Sequence, residues 1–315
     1  MRQSQNRQCD FVFFPWLDGF LDHGIGPADV PRSLADRWGA MVLNVGHFSS
    51  PASGFLRRRR HGKKFGALDH KGFRLLATLD ELAVPALQRR FGDTPIRAMP
   101  DFVEPQFHCA ETTDAMNRAK ATGSRVMVSV GVMQKRKGFL KLLKLARRGG
   151  LAGWQVVLSG RVDWNGLKDD DAALVRDAIA GRYDGVHVNE GHLATDAHIN
   201  AEIAAADVVF LGYEQWKQSS NIMTRAAKLG RPVLTCSEGV LAHRTRSNGL
   251  GWVLPDDGED SIELMLGQIT EDALVAQSRQ NGYAPFALQH DVSTLQETFK
   301  PILRPANLGA HRQAA

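Results

Sequence analysis

The chain has 315 residues, 43% of them hydrophobic, with 30 glycines and 13 prolines; this is a globular composition that excludes extensive disorder and allows one large or two ordinary domains. Lysine and arginine (39) exceed aspartate and glutamate (34) by five. The excess gathers at Arg57, Arg58, Arg59 and Arg60, followed by His61, Lys63 and Lys64; the run reads either as a solvated loop or as a contact for an acidic surface, and without interleaved aromatics it does not predict nucleic-acid binding.

Cys9, Cys109 and Cys236 are too widely spaced for a CxxC pair, so neither a disulfide framework nor a zinc site is expected, and a reducing cytoplasm fits, at the membrane periphery if the basic run meets lipid. The first apolar run, residues 11–17, contains Pro15 and is bracketed by Asp10 and Asp18, which predicts a buried strand rather than a signal peptide or a membrane span. Further strands are expected at 40–45, 73–78 and 96–98. Residues 99–123 carry Pro100 and Pro105 and a short helical stretch near Met116, the pattern of a connection. Beyond residue 125, apolar runs at 125–130, 154–159, 185–188, 207–211, 232–235 and 251–254 alternate with helical spacing at 139–148, 169–180, 195–206 and 221–229. Strand and helix in alternation predict right-handed crossovers and parallel sheets covered on both faces, an α/β doubly wound class. The domains are expected at 1–105 and 125–305, joined by a linker at 106–124 and followed by a polar tail at 306–315.

In such sheets ligands sit beyond the carboxyl ends of the strands, so each loop there is a candidate site. "VGVMQKRKGF" places Gly131 at a strand end and Lys135, Arg136 and Lys137 before a helix. Cations at a helix N-terminus oppose the macrodipole; either they point to water or an anion resolves the conflict. "LGYEQWKQSSNIMTRAAKLGRPVLT" carries Glu214, then Ser219, Ser220 and Asn221 before an apolar helical face of Ile222, Met223, Ala226 and Ala227, closed by Gly230 and Pro232. A helix start without acidic side chains suits an anion, whereas simple capping requires one serine, not a triplet. His187, His192 and His198 share no face, so no metal site is expected.

Residues 125–305 resemble the donor domain of GT-B glycosyltransferases, closest to family 4, the retaining nucleotide-sugar enzymes. The resemblance lies in "VSVGVMQKRKGF", in "IAAADVVFLGYE" followed by "AAKLGRPVLT", and in "ATLDELAVPALQRRFGDTPIRAMPDFVEP", which is similar to the segment entering the interdomain linker. It implies two doubly wound, Rossmann-like domains facing a central crevice, with a short acceptor-side domain first. The implied reaction moves a sugar from a nucleoside diphosphate sugar to an acceptor, such as a glycan or lipid-linked molecule, with retention and without a metal or other cofactor. Lys137, with Lys135 or Arg136, and the amides of Ser220 and Asn221 would stabilise the leaving diphosphate. Glu214 would hold sugar hydroxyls, and His47 and Asp18, at strand ends of the first domain, would lie beside the sugar, although a structural histidine is the commoner case. Two departures stand out: Val132 replaces an arginine of the family, and Arg225 occupies the place of its second glutamate, where it would contact diphosphate or ribose or pair with a neighbouring carboxylate. The alternative to an enzyme is a non-catalytic GT-B-like protein that binds a partner through the crevice or the basic run.

Overall fold

Short runs of valine, leucine and phenylalanine, each followed by a helix-forming stretch, give the chain two parallel sheets. The computed structural model describes residues 11–23, 38–45, 68, 72–104, 108–214 and 218–303. By contact the chain divides into two units, Met1–Pro100 with Ser293–Ala315, and Asp101–Val292.

The first unit carries strands β1 (Val12–Phe14), β2 (Trp38–Val42), β3 (Phe73–Thr78) and β4 (Ile96–Ala98), parallel and in that order. Its core includes Leu21, Trp38, Val42, Phe73, Leu76 and Leu87. Gly39 sits where a Cβ would come 2.9 Å from the Leu75 side chain and 2.9 Å from the Phe11 ring, so the close passage of β2 over β3 requires glycine. The strand expected at 40–45 begins two residues earlier and ends at Val42 because the Asp18 carboxylate accepts from the amides of Leu43 (2.9 Å) and Asn44 (2.8 Å) and draws the chain out of the sheet. The helix Val292–Leu303 belongs to this unit, with Phe299 edge-on to Phe13 at 5.0 Å.

The second unit has six parallel strands, β5 (Val126–Val130), β6 (Gln155–Gly160), β7 (Val186–Glu190), β8 (Val208–Leu211), β9 (Val233–Thr235) and β10 (Gly251–Val253), in the order β10-β9-β8-β5-β6-β7. Alternate residues of each central strand enter opposite cores: Val126, Val128 and Val130 on one face, Met127 on the other, with Val157 opposed to Val156 and Leu158 in the same way. Burial of both faces explains why these strands read as unbroken apolar runs. Strand order reverses between β5 and β8, the position at which doubly wound sheets open a ligand crevice.

The boundary expected near residue 105 lies at Pro100–Asp101, and the expected linker is part of the second unit. The helix Asp114–Ala121, capped by the Thr113 hydroxyl (3.3 Å from the Met116 amide), buries Ala115, Met116 and Ala119 against that core. At the other end the second unit stops at Val292 rather than at residue 305. His47, the arginines 57–60 and the tail at 306–315 lie outside the described residues.

Candidate functional site

Two loops leave the sheet at the strand-order reversal, residues 131–138 after β5 and, after β8, the described residues 212–214 and 218–220 ahead of the helix Asn221–Lys228. They are held to the sheet and to each other by close backbone contacts. The Gly131 amide donates to Ser159 O (2.9 Å) and the Met133 amide to Arg161 O (2.8 Å). The Glu214 amide donates to Arg136 O (2.8 Å). Gly138 has φ +75°, and a Cβ there would collide with the Gly212 carbonyl; only glycine permits both the left-handed turn and the approach.

The three cations of the first loop have separate fates. Lys135 pairs with Asp171 at 2.8 Å, a hydrogen bond that raises its pKa, and Arg136 Nε donates to Gln134 at 2.9 Å. Neither group is held over the strand end by those contacts, in contrast to the expectation that one of them supplies the missing family arginine. Lys137 is different. Its ammonium lies 3.4 Å from Val130 O and beside Gly131, at the carboxyl end of β5, with no carboxylate within 4 Å among the described residues. Burial, reinforced by the charge of Arg136, lowers its pKa to about 8.

The helix Asn221–Lys228 begins without a side-chain cap, so the simple-capping alternative for the triplet does not hold. Both serine hydroxyls turn into the fold. Ser219 Oγ donates to Asp101 Oδ2 (2.7 Å) and accepts from Arg244, while Ser220 Oγ shares a buried bond with Tyr213 Oη (3.0 Å). Thr224 Oγ1 donates to Asp101 O (2.8 Å). Burial raises the Asp101 pKa against the lowering effects of Ser219 and Arg244. Asn221 is exposed at the helix start. The groups this helix can offer an anion are therefore first-turn amides rather than hydroxyls.

Arg225, placed by resemblance among the diphosphate and ribose contacts, is buried at 2% exposure and pairs with carboxylates, the second of its two expected roles. Its terminal nitrogens donate to Glu104 Oε1 (3.0 Å) and Oε2 (2.9 Å) and to Asn200 Oδ1 (2.7 Å), and Asp196 Oδ2 lies 3.0 Å away. Burial works against ionisation of Glu104, but the hydrogen bonds and charge of Arg225 outweigh it and lower its pKa. Glu214 meets a lysine that sequence reading passed over, Lys141, with Nζ 3.8 Å from Oε1. In the first unit, the Asp18 carboxylate is engaged by the amides of Leu43 and Asn44, three residues before His47.

No family model and no curated protein matches the sequence. Among solved structures, the chain is similar to sucrose-phosphate synthase from Thermosynechococcus elongatus at 18% identity and TM-score 0.61, covering 86% of this chain and 68% of that one. It is similar to Anabaena HepE in complex with UDP-glucose at 15% identity and TM-score 0.62, covering 84% and 71%. The chain has the GT-B fold. A third GT-B likeness is to WaaG, a glycosyltransferase involved in lipopolysaccharide biosynthesis, at 18% identity and TM-score 0.52, covering 83% and 75%. Among the described residues no helix is long and apolar enough to cross a membrane.

Proposed function

We propose that the protein is a glycosyltransferase that binds a nucleoside diphosphate sugar at the carboxyl ends of β5 and β8 and transfers the sugar to an acceptor. The observation that carries this reading is Lys137: a half-buried ammonium with a lowered pKa and no carboxylate within 4 Å among the described residues, at the strand-order reversal, on a loop bonded through Arg136 O to the one that leads into a helix without a side-chain cap. A diphosphate supplies what both lack. In the reaction the bond from the anomeric carbon to the diphosphate oxygen breaks, a bond to the acceptor hydroxyl oxygen forms, and the hydroxyl proton passes to solvent. Charge grows on the departing diphosphate, and in this reading Lys137 and the amides of Ser220 and Asn221 stabilise it. Gly131 lets the chain approach that group closely. Glu214 orients the sugar, and the resemblance to family 4 supports retention. We assign no metal, since the cation and amides do the neutralising; EDTA should leave binding and transfer unchanged. Free cysteines at positions 109 and 236 are consistent with a cytoplasmic setting.

The first probe is UDP, because the similar HepE is seen with UDP-glucose; GDP is the second. Thermal unfolding is followed with each at about 100 times its dissociation constant, where linkage contributes about 2.7 kcal/mol, a rise of roughly 5–10 °C in melting temperature for a unit of this size. No shift with either at millimolar concentration removes the donor-site reading. The burial of Arg225 against Glu104, in place of the family's second glutamate, favours one rival: a fold that keeps the cradle and binds a nucleotide without transferring sugar. Turnover of the bound sugar nucleotide with a panel of glycan and lipid-linked acceptors separates the two.

A further inference from the structure

We propose that Lys141 is a positioning residue: its ammonium sets the Glu214 carboxylate at the end of β8 to receive the hydroxyls of the donor sugar. This rests on the reading of the second unit as a nucleotide-sugar site and names how that site tells a sugar nucleotide from a bare nucleotide.

The loop after β5 and the helix behind it bring four cations close together, and three are otherwise engaged. Lys135 is bound to Asp171 at 2.8 Å, Arg136 Nε to Gln134 at 2.9 Å, and Lys137 lies over Val130 O. Among the described residues, Lys141 is the cation within 4 Å of Glu214, at 3.8 Å. Its place on the chain argues for purpose. Lys141 is the third residue of the helix Phe139–Arg147, and a side chain in a first turn leans toward the helix N-terminus. A cation there meets the positive end of the dipole and gains nothing from the helix. A carboxylate across the gap removes that conflict.

Glu214 is fixed from its own side as well, because its amide is tied to Arg136 O. The Lys141 and Glu214 side chains are 13% and 22% exposed, so solvent screens their attraction less than that of a surface pair. At 3.8 Å the ammonium is an electrostatic neighbour, beyond the length of a good hydrogen bond. The carboxylate keeps its acceptor sites, about four in all, available for hydroxyl donors. Lys141 thereby fixes where an acceptor-only group points without consuming its capacity.

The test measures dissociation constants by calorimetry for UDP, GDP, UDP-glucose, UDP-galactose, UDP-N-acetylglucosamine and GDP-mannose. The proteins are the unmodified chain, Lys141→Met, Lys141→Arg, Glu214→Gln and the Lys141→Met, Glu214→Gln double variant, each checked for a cooperative melt. The unmodified chain is expected to bind at least one sugar nucleotide more tightly than the matching nucleoside diphosphate. Lys141→Met should leave nucleoside diphosphate affinity in place and reduce that preference by about tenfold, the scale of one hydrogen bond to a charged group. Lys141→Arg should restore most of it. Glu214→Gln should lose the preference to a similar extent, and the double variant should lose little more, because the two residues act as one. The proposal is overturned if Lys141→Met weakens both ligand classes equally, if it leaves the preference intact, if the two losses add, or if the unmodified chain shows no preference. Failure of UDP and GDP to bind the unmodified chain removes the donor-site reading and this inference with it, a result distinct from the others.

Discussion

Lys137 is the residue on which the proposed chemistry turns, and its environment makes opposite demands on stability and binding. Burial disfavours the ammonium and holds its pKa at about 8 against an ordinary value of 10.5. Between those values the unfolded chain binds more protons than the folded one, so this group makes stability rise with pH across that window. At pH 7 the charged side chain opposes folding, and Lys137→Met is expected to melt higher than the unmodified protein, by a margin that shrinks from pH 8 to 10.5. Diphosphate binding should run the other way. It should weaken as pH rises from 7 to 9 and the ammonium is lost, and Lys137→Ala should cost about 1.5–3 kcal/mol of binding at pH 7 while erasing that pH dependence. Calorimetric titration with UDP at several pH values checks both; a flat profile in the unmodified protein excludes Lys137 from the site. Arg225 has a different role. With its fork filled by Glu104 and Asp196, Arg225→Met leaves two carboxylates without their cation, a loss of about 3 kcal/mol, at the lower end because both acids keep some contact with water. The Glu104 carboxyl is held below its ordinary value of 4.5, so its share of stability is present above that pH and disappears as pH falls through the lowered value. Denaturant unfolding at pH 7 and pH 3 should therefore separate variant from parent more at pH 7.

At the scale of elements, the rigidity of the cradle comes from glycine contacts that bring loops nearly into collision. A Cβ on Gly138 meets the Gly212 carbonyl, and one on Gly160 meets the Gly131 carbonyl. Gly138→Ala must shift the β5 loop from the β8 loop or strain a left-handed backbone, and is expected to lose about 1–3 kcal/mol of stability together with UDP affinity. Ser220→Ala is the contrasting case. Its hydroxyl faces Tyr213 rather than the crevice end of the helix, so it should lose about 1 kcal/mol of stability with UDP affinity kept; parallel loss of UDP affinity shows that the hydroxyl contacts the ligand. This distinction explains what the sequence discloses. That a helix begins near Asn221 and that cations precede Gly138 are local facts, visible in spacing and residue type. Where the side chains go is not local: Ser219 reaches Asp101, 118 residues away, Arg225 reaches Glu104 across 121, and Lys135 reaches Asp171 across 36. No pattern within a loop encodes such partners, which is why three groups expected to face an anion are engaged with the fold and why Lys141 went unnoticed.

For the whole molecule, the doubly wound class was legible because burial on both sheet faces leaves continuous apolar strands, and each described strand falls within two residues of its apolar run at the start. The unit boundaries were less legible, since a helix that belongs to one unit has the same periodicity as a helix that belongs to another. Ala115, Met116 and Ala119 read as a short helical stretch in a connection, yet they close one core of the second unit, and Glu104 on the same segment neutralises buried Arg225. Residues 293–303 read as the end of the second domain, yet their contacts lie with the first. These assignments predict the behaviour of two fragments. Residues 101–292 retain the helix Asp114–Ala121, Glu104 and Asp101 and should unfold cooperatively and bind UDP. Residues 125–305, cut where the sequence alone suggests, lose the helix that packs against β6 and β7 and contributes to that core, leave Arg225 without Glu104, and carry the apolar face of a helix that belongs elsewhere. Exposure of that core and an unpaired buried cation should together make the second fragment aggregate or melt without cooperativity. Circular dichroism melts and sedimentation of the two fragments decide the matter, and equal stability would return the boundary to residue 125.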